Sequence, residues 1–316
     1  VMTYTMIGGF ISVVKTDSVQ GVVMVLAAIV LFSGTVSAAG GLASISEVRT
    51  QPGGEELFTW GGGVAIPVLM GTMFAGLVKF AVEPRQLSRF FALQGDKATR
   101  TGMIVSSVTF AAVFSLLIPV GIYARRVLPG GLEDTDLVVP TLLTEVFGPG
   151  TGAFLLVAMV AAAMSSLDSV LLVMASTTER DIVSVLKPGR TEAAEMFWTK
   201  GWVALFALIT AVISLNPPDG IVELTAFSGS LYGACFFPAI VFGLHWRRGS
   251  GAGVIASFVI GISVLLGWEY LPGSEILHEV FPAMIFSTFA FWIVSLFTPD
   301  GANEQVIALM DEAKGG

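Results

Sequence analysis

The sequence predicts an all-helical integral membrane protein with about eight transmembrane helices, and three observations carry that fold class. Mean hydropathy is +0.82. Only 13% of the 316 residues are charged, about half the share usual in a soluble domain. The apolar residues gather into runs of about 18 to 25, enough at 1.5 Å rise per residue to cross a ~30 Å hydrocarbon core. A β-barrel would instead show segments of about ten alternating residues.

Each run is bounded by charged residues or helix breakers. The first, Asp17–Ala38, follows Lys15 and stops before Gly40-Gly41. The second, Gly62–Val82, ends at Glu83-Pro84, and the third, Thr101–Tyr123, lies between Arg100 and Arg125-Arg126. The fourth spans Gly152–Ser176; the fifth, Phe197–Leu215, is closed by Pro217-Pro218. The sixth, Val222–His245, stops at Arg247-Arg248, and the last two are Gly251–Trp268 and Val280–Leu296. Together they predict one transmembrane domain over 1–298 and a polar, acidic cytoplasmic tail over 299–316. Within the domain, the basic segment 83–95 reads as an interfacial helix on the inner leaflet, since Pro84 interrupts the preceding helix. The acidic stretch 128–150, with Glu133, Asp134 and Asp136, reads as an extracellular loop or surface helix that covers a pathway.

Lysine and arginine set the orientation. With the first span starting in the cytoplasm, the inside holds Lys15, Arg85, Arg89, Lys97, Arg100, Arg180, Lys187, Arg190, Lys200, Arg247, Arg248 and Lys314. The outside holds Arg49, Arg125 and Arg126, and Lys79 falls within a span. This asymmetry obeys the positive-inside rule and places both ends of the chain in the cytoplasm of a cell membrane. The chain starts at Val1 inside an apolar run, with Gly8-Gly9 positioned to turn the backbone before the first span. It therefore reads as lacking earlier helices.

Other functions find little support. The net charge of −8 resides mostly in loop carboxylates and offers nothing to nucleic acid. A single cysteine, Cys235, excludes an intrachain disulfide, and His245 and His278 have no metal-ligand spacing. No Walker, GxGxxG or HExxH pattern occurs, so no enzyme is predicted.

The fourth span carries the chemistry. Ala162, Ser165, Ser166 and Ser169 share one narrow face at 100° per residue, and Asp168 lies about 60° round from Ser165. A carboxylate among hydroxyls in a lipid-spanning helix is costly and usually faces a bundle interior or an ion path. Hard oxygen donors without sulfur or imidazole suit a hard cation. The alternative for each serine is a bond back to the preceding turn or close helix packing.

Four stretches, in order, resemble the sodium:solute symporter family. They are YTMIGGFISVVKTDSVQG (Tyr4–Gly21), EPRQLSRFFAL (Glu83–Leu93), MSSLDSVLLVMASTTERD ending at Asp181, and the long run Phe227–Gly261. The second is closest to the proline and pantothenate branch. The resemblance implies a LeuT-type fold of two inverted five-helix repeats around a midplane site. This chain would supply the last helix of repeat one, all of repeat two and two extra helices.

It also implies site residues. The backbone carbonyl of Ala162 and the hydroxyls of Ser165 and Ser166 would bind sodium, the implied cofactor in the sense of a coupling ion. Asp17 and Ser169 match a second sodium site of some members, where Asp168 stands in place of their hydroxyl. Asp17 could equally cap a helix starting after Thr16. Lys79 either pairs with Glu83 one turn on, snorkelling to the interface, or attracts a carboxylate substrate. Phe227, Ser228 and Tyr232 stand where the family lines its solute pathway, with Gly229 and Gly233 permitting local unwinding. The function implied is sodium-coupled import of a small organic solute, an amino acid such as proline or an acid such as pantothenate. A sugar symporter, or a sensor or channel of the same fold, is the alternative. The partners are the solute, sodium and the lipid bilayer; oligomeric state is not specified by the sequence.

Overall fold

The computed structural model describes residues 2–91, 93, 95–128, 132, 134–274, 276–298, 307, 308, 310 and 311, of which 2–11, 90 and 91 by backbone alone. Glu133, Lys314 and most of the tail 299–316 lie outside the described residues. The helices are α1 (Met2–Ala38), α2 (Ile45–Arg49), α3 (Ile66–Val82), α4 (Pro84–Phe91), α5 (Gly95–Val127), α6 (Val138–Glu145) and α7 (Pro149–Thr177). They continue as α8 (Ser184–Leu186), α9 (Glu192–Ser214), α10 (Ile221–Phe237), α11 (Gly243–His245), α12 (Gly251–Gly267) and α13 (Val280–Phe297). No strand occurs among the described residues. Among the described residues, eight helical segments are long and apolar enough to cross a membrane, matching the eight sequence runs in order. The protein is a multi-pass membrane protein.

Exposure supports that reading. Ile104, Val105, Val108, Phe110 and Phe114 on α5 are all exposed. In water this would be a large apolar patch; in a bilayer it is the lipid-facing surface.

One boundary differs from expectation. α1 runs unbroken through Gly8-Gly9, so the chain does not turn there and Asp17 lies deep in a helix rather than at its start. A mid-helix glycine costs about 1 kcal/mol, whereas opening a helix in hydrocarbon strands backbone groups at several kcal/mol each. The continuous helix is the cheaper solution, and it removes the capping role of Asp17. Thr16 instead turns its hydroxyl onto the carbonyls of Ser12 and Val13, both at 2.9 Å.

The other boundaries behave as their breakers dictate. α3 ends at Val82, Glu83 is extended, and Pro84 opens α4. The stretch after 128 contains a short 3-10 turn and α6, whose Leu142 and Leu143 are buried.

The helices divide into two compact units, Val1–Phe58 with Leu93–Pro218, and Thr59–Ala92 with Asp219–Gly316. In the first, α1 packs on α5, α7 and α9, and α7 also packs on α6 and α9. Leu31, Val120, Ala124, Leu142, Leu143 and Leu155 make its largest buried cluster. In the second, α10 packs on α3, α12 and α13, and α12 packs on α13. Ala75, Val78, Val82, Val280 and Met284 form its core. Glycine sets the spacing in this second unit. A Cβ on Gly229 would stand 2.8 Å from the Ala75 carbonyl oxygen, and one on Gly233 3.0 Å from Met284 Sδ. Small residues let helix backbones approach where no hydrophobic effect drives them together.

Candidate functional site

The serine-aspartate stretch lies in regular helix. Ser165 is half-buried, Ser166 exposed, and Asp168 and Ser169 are buried, Asp168 at 0% exposure. The Ser169 hydroxyl lies 3.2 Å from the Ser165 carbonyl oxygen and 3.3 Å from Asp168 Oδ1. Its single proton can serve one at a time, so Ser169 has a back-bonding role available within its own helix. The Ser165 and Ser166 hydroxyls make no such bond among the described residues, which leaves their oxygens available to a ligand. The Ala162 carbonyl keeps a second lone pair after its helical hydrogen bond, so it too can face a cation without unwinding the helix.

Asp17 is on α1, which packs directly against α7 within the same compact unit. It is half-buried and its Oδ1 is wholly shielded. The two helices that carry the candidate cation ligands are thus neighbours.

Lys79, Phe227, Ser228 and Tyr232 lie in the second unit, on α3 and α10, which also pack together. The Lys79 ammonium stands 5.9 Å from the centroid of the Tyr232 ring, within cation–π range. The alternative pairing with Glu83 is not made. Glu83 is 2% exposed and its carboxylate meets Arg85 at 3.1 Å instead. Glu83 closes α3, its N–H donating to the Lys79 carbonyl at 2.8 Å, and only its ψ turns the chain out of the helix towards Pro84. Phe227 is exposed and Ser228 half-buried. α10 is unbroken around Gly229 and Gly233, so those glycines serve packing rather than unwinding. The irregular turn comes later, as a π-helical stretch at Pro238–Phe242.

Residues 1–261 match the sodium:solute symporter family. The chain belongs to that family. This symporter-family chain is 29% identical over 296 residues to the sodium/pantothenate symporter of Haemophilus influenzae, covering 92% of this chain and 61% of the relative. It is 28% identical over 320 residues to the sodium/proline symporter of Escherichia coli, covering 98% of this chain and 63% of that protein. The chain thus spans less than two-thirds of the length of these relatives. A Na+-coupled sialic acid symporter, solved in a substrate-bound, outward-open state with a novel Na+ site, superposes with TM-score 0.77 at 21% identity. That match covers 96% of this chain and 66% of the other, and the shared fold is LeuT-like.

Sequence reasoning overlooked one polar cluster. Beyond α7 the chain makes a π-helical turn at Thr178–Val183, and Glu179 in that turn is 1% exposed. Its Oε1 pairs with Arg190 Nη1, and its Oε2 accepts a hydrogen bond from Trp202 Nε1 at 3.0 Å. In the sequence Glu179 falls just past the fourth span, near the end of the stretch that closes at Asp181. Nothing local announced its burial.

Proposed function

We propose that this protein is a sodium-coupled secondary active symporter that imports a small organic solute by alternating access. The observation that carries the reading is the α7 face of Ala162, Ser165 and Ser166, with hydroxyl oxygens not spent on the helix. Sodium bound there supplies hard-oxygen coordination of the kind these donors favour. Asp17, Asp168 and Ser169 form a second cation site between α1 and α7, where two carboxylates in low dielectric are held together by the ion, or by a shared proton. The names of the pantothenate and proline relatives support an amino acid or a small organic acid as solute. On that basis Lys79 and Tyr232 meet the solute's carboxylate and apolar body, with Phe227 and Ser228 beside them. Both ends of the chain lie in the cytoplasm.

Coupling follows from linkage. Sodium and solute each favour the same outward-open arrangement, so each raises the affinity for the other. Release of sodium at low internal concentration then biases the return.

The test is solute uptake by the full-length protein in proteoliposomes under an imposed sodium gradient. Ser165→Ala and Ser166→Ala are each expected to raise the sodium concentration for half-maximal uptake at least tenfold, about 1.4 kcal/mol in ligand binding. Near-normal sodium dependence in both variants at normal expression sinks the assignment.

A further inference from the structure

We propose that Glu179, Arg190 and Trp202 form a clamp that fixes the rotation of α7 against α9, making Glu179 a positioning residue for the cation-binding face of α7. This rests on the symporter reading above and adds a residue to it.

The helical geometry leads there. Leu167, Leu171 and Ala175 recur every four residues and form one ridge of α7. They pack with Val203, Trp202, Phe206 and Ala207 of α9; Leu171, Ala175 and Val203 are each 2% exposed or less. At 100° per residue this ridge lies roughly opposite the face of Ala162, Ser165, Ser166 and Ser169. Whatever sets the rotation of α7 on the α9 side therefore sets where the serine oxygens point on the other.

The ridge itself restrains rotation weakly. Leucine and alanine contacts are non-directional, and a helix can roll on them at small cost. A rotation of about 20° would carry an oxygen some 5 Å from the helix axis through roughly 2 Å. Coordination distances tolerate about a tenth of that.

Glu179 supplies the missing direction. It continues the same four-residue series after Ala175, now in the π-helical turn, with its carboxylate wholly inside the protein. One oxygen is taken by Arg190 from the 187–191 loop and the other by the Trp202 indole, itself part of the apolar ridge contact. The Arg190 guanidinium is held in turn over the Trp198 ring, 5.9 Å from its centroid. A buried carboxylate with both oxygens engaged on two different segments admits one geometry, because losing either partner leaves a charge unpaired. π-helical turns within α-helices recur at functional positions. Here the extra residue of the turn sits where the apolar ridge gives way to the ion pair.

Glu179→Gln, Arg190→Gln and the double variant test the clamp in the full-length protein, alongside Ser165→Ala, by sodium-dependent uptake. Glu179→Gln is expected to raise the sodium concentration for half-maximal uptake about five- to tenfold. The solute concentration for half-maximal uptake at saturating sodium should stay within twofold. Arg190→Gln should do the same, and the double variant should be no worse than either alone, because one interaction is lost in all three. Trp202→Phe keeps the packing and removes only the N–H donor; it decides the matter if the Glu179 variants fail to accumulate, with an expected rise of about threefold. Lower maximal rate or less protein with unchanged sodium dependence would mean a purely structural role and overturn the clamp. If Ser165→Ala shifts sodium dependence and the clamp variants do not, the clamp alone is wrong; if Ser165→Ala does not, the sodium site itself is.

Discussion

Single residues do two kinds of work in this chain, and the glycines of α10 show the first. Gly229 lies against the Ala75 carbonyl, so a valine there must push α10 and α3 apart. Overpacking of this kind costs about 1–3 kcal/mol, and Gly229→Val is expected to lower the thermal unfolding midpoint of purified protein. Gly76, on the neighbouring α3, has open space where its Cβ would be. Gly76→Ala should leave the midpoint unchanged or raise it, by up to about 1 kcal/mol of helix propensity. Equal loss in both variants would show that helix separation is not what Gly229 protects. The second kind of work is polar. Ser165, Ser166, Asp168 and Ser169 look alike as a sequence pattern, yet only the structure separates them. Ser169 can spend its hydroxyl on its own turn or on Asp168, while the Ser165 and Ser166 hydroxyls make no such bond among the described residues.

At the scale of elements, the pairing of α1 with α7 brings Asp17 and the serine-aspartate face into one unit. If both carboxylates serve a second cation, Asp17→Asn should lower the Hill coefficient of sodium-dependent uptake towards one while expression is maintained. Sodium dependence identical to that of the unmodified protein would return Asp17 to a packing role. The same pairing bears on stability. Asp168 is completely buried with the Ser169 hydroxyl 3.3 Å from its Oδ1, and on the cation reading proposed above sodium supplies further compensation for its charge. Asp168→Asn is therefore expected to weaken the response of thermal stability to added sodium more than it changes stability in sodium-free buffer. Ligand binding to the folded state alone stabilises by an amount that grows with concentration, so a melting series in sodium, with choline as control, reads this directly.

The whole molecule is a question of orientation. Asp219, before α10, and Arg248, after it, are both exposed and belong to opposite ends of one candidate span. In a Cys235→Ser background, Asp219→Cys should react with an impermeant thiol reagent added outside intact cells. Arg248→Cys should react only after the cytoplasm is opened. The reverse pattern would invert the topology deduced from arginine and lysine. Cys235 must be removed for a clean reading, although its burial already slows its reaction.

The sequence by itself determined the membrane class, the number and order of the spans and the break at Pro84, and it pointed to the residue types of the proposed cation face. These are local or compositional. A lipid environment allows few solutions for a long apolar run, so its helical state follows from backbone hydrogen bonding alone. The motif around Ser165 was legible because hydroxyls and a carboxylate at helical spacing contradict their apolar surroundings. Only the tertiary structure decided the rest. Gly8-Gly9 had the composition of a turn, and the cost of opening a helix overruled it. Lys79 had Glu83 at helical spacing, but the Glu83 carboxylate is held by Arg85, and the lysine stands over the Tyr232 ring. Gly229 and Gly233 invited unwinding and instead let α10 press against α3 and α13. Glu179 was invisible because its partners lie 11 and 23 residues away. A pairing across a loop and onto another helix is a property of the packed chain, and no local pattern encodes it.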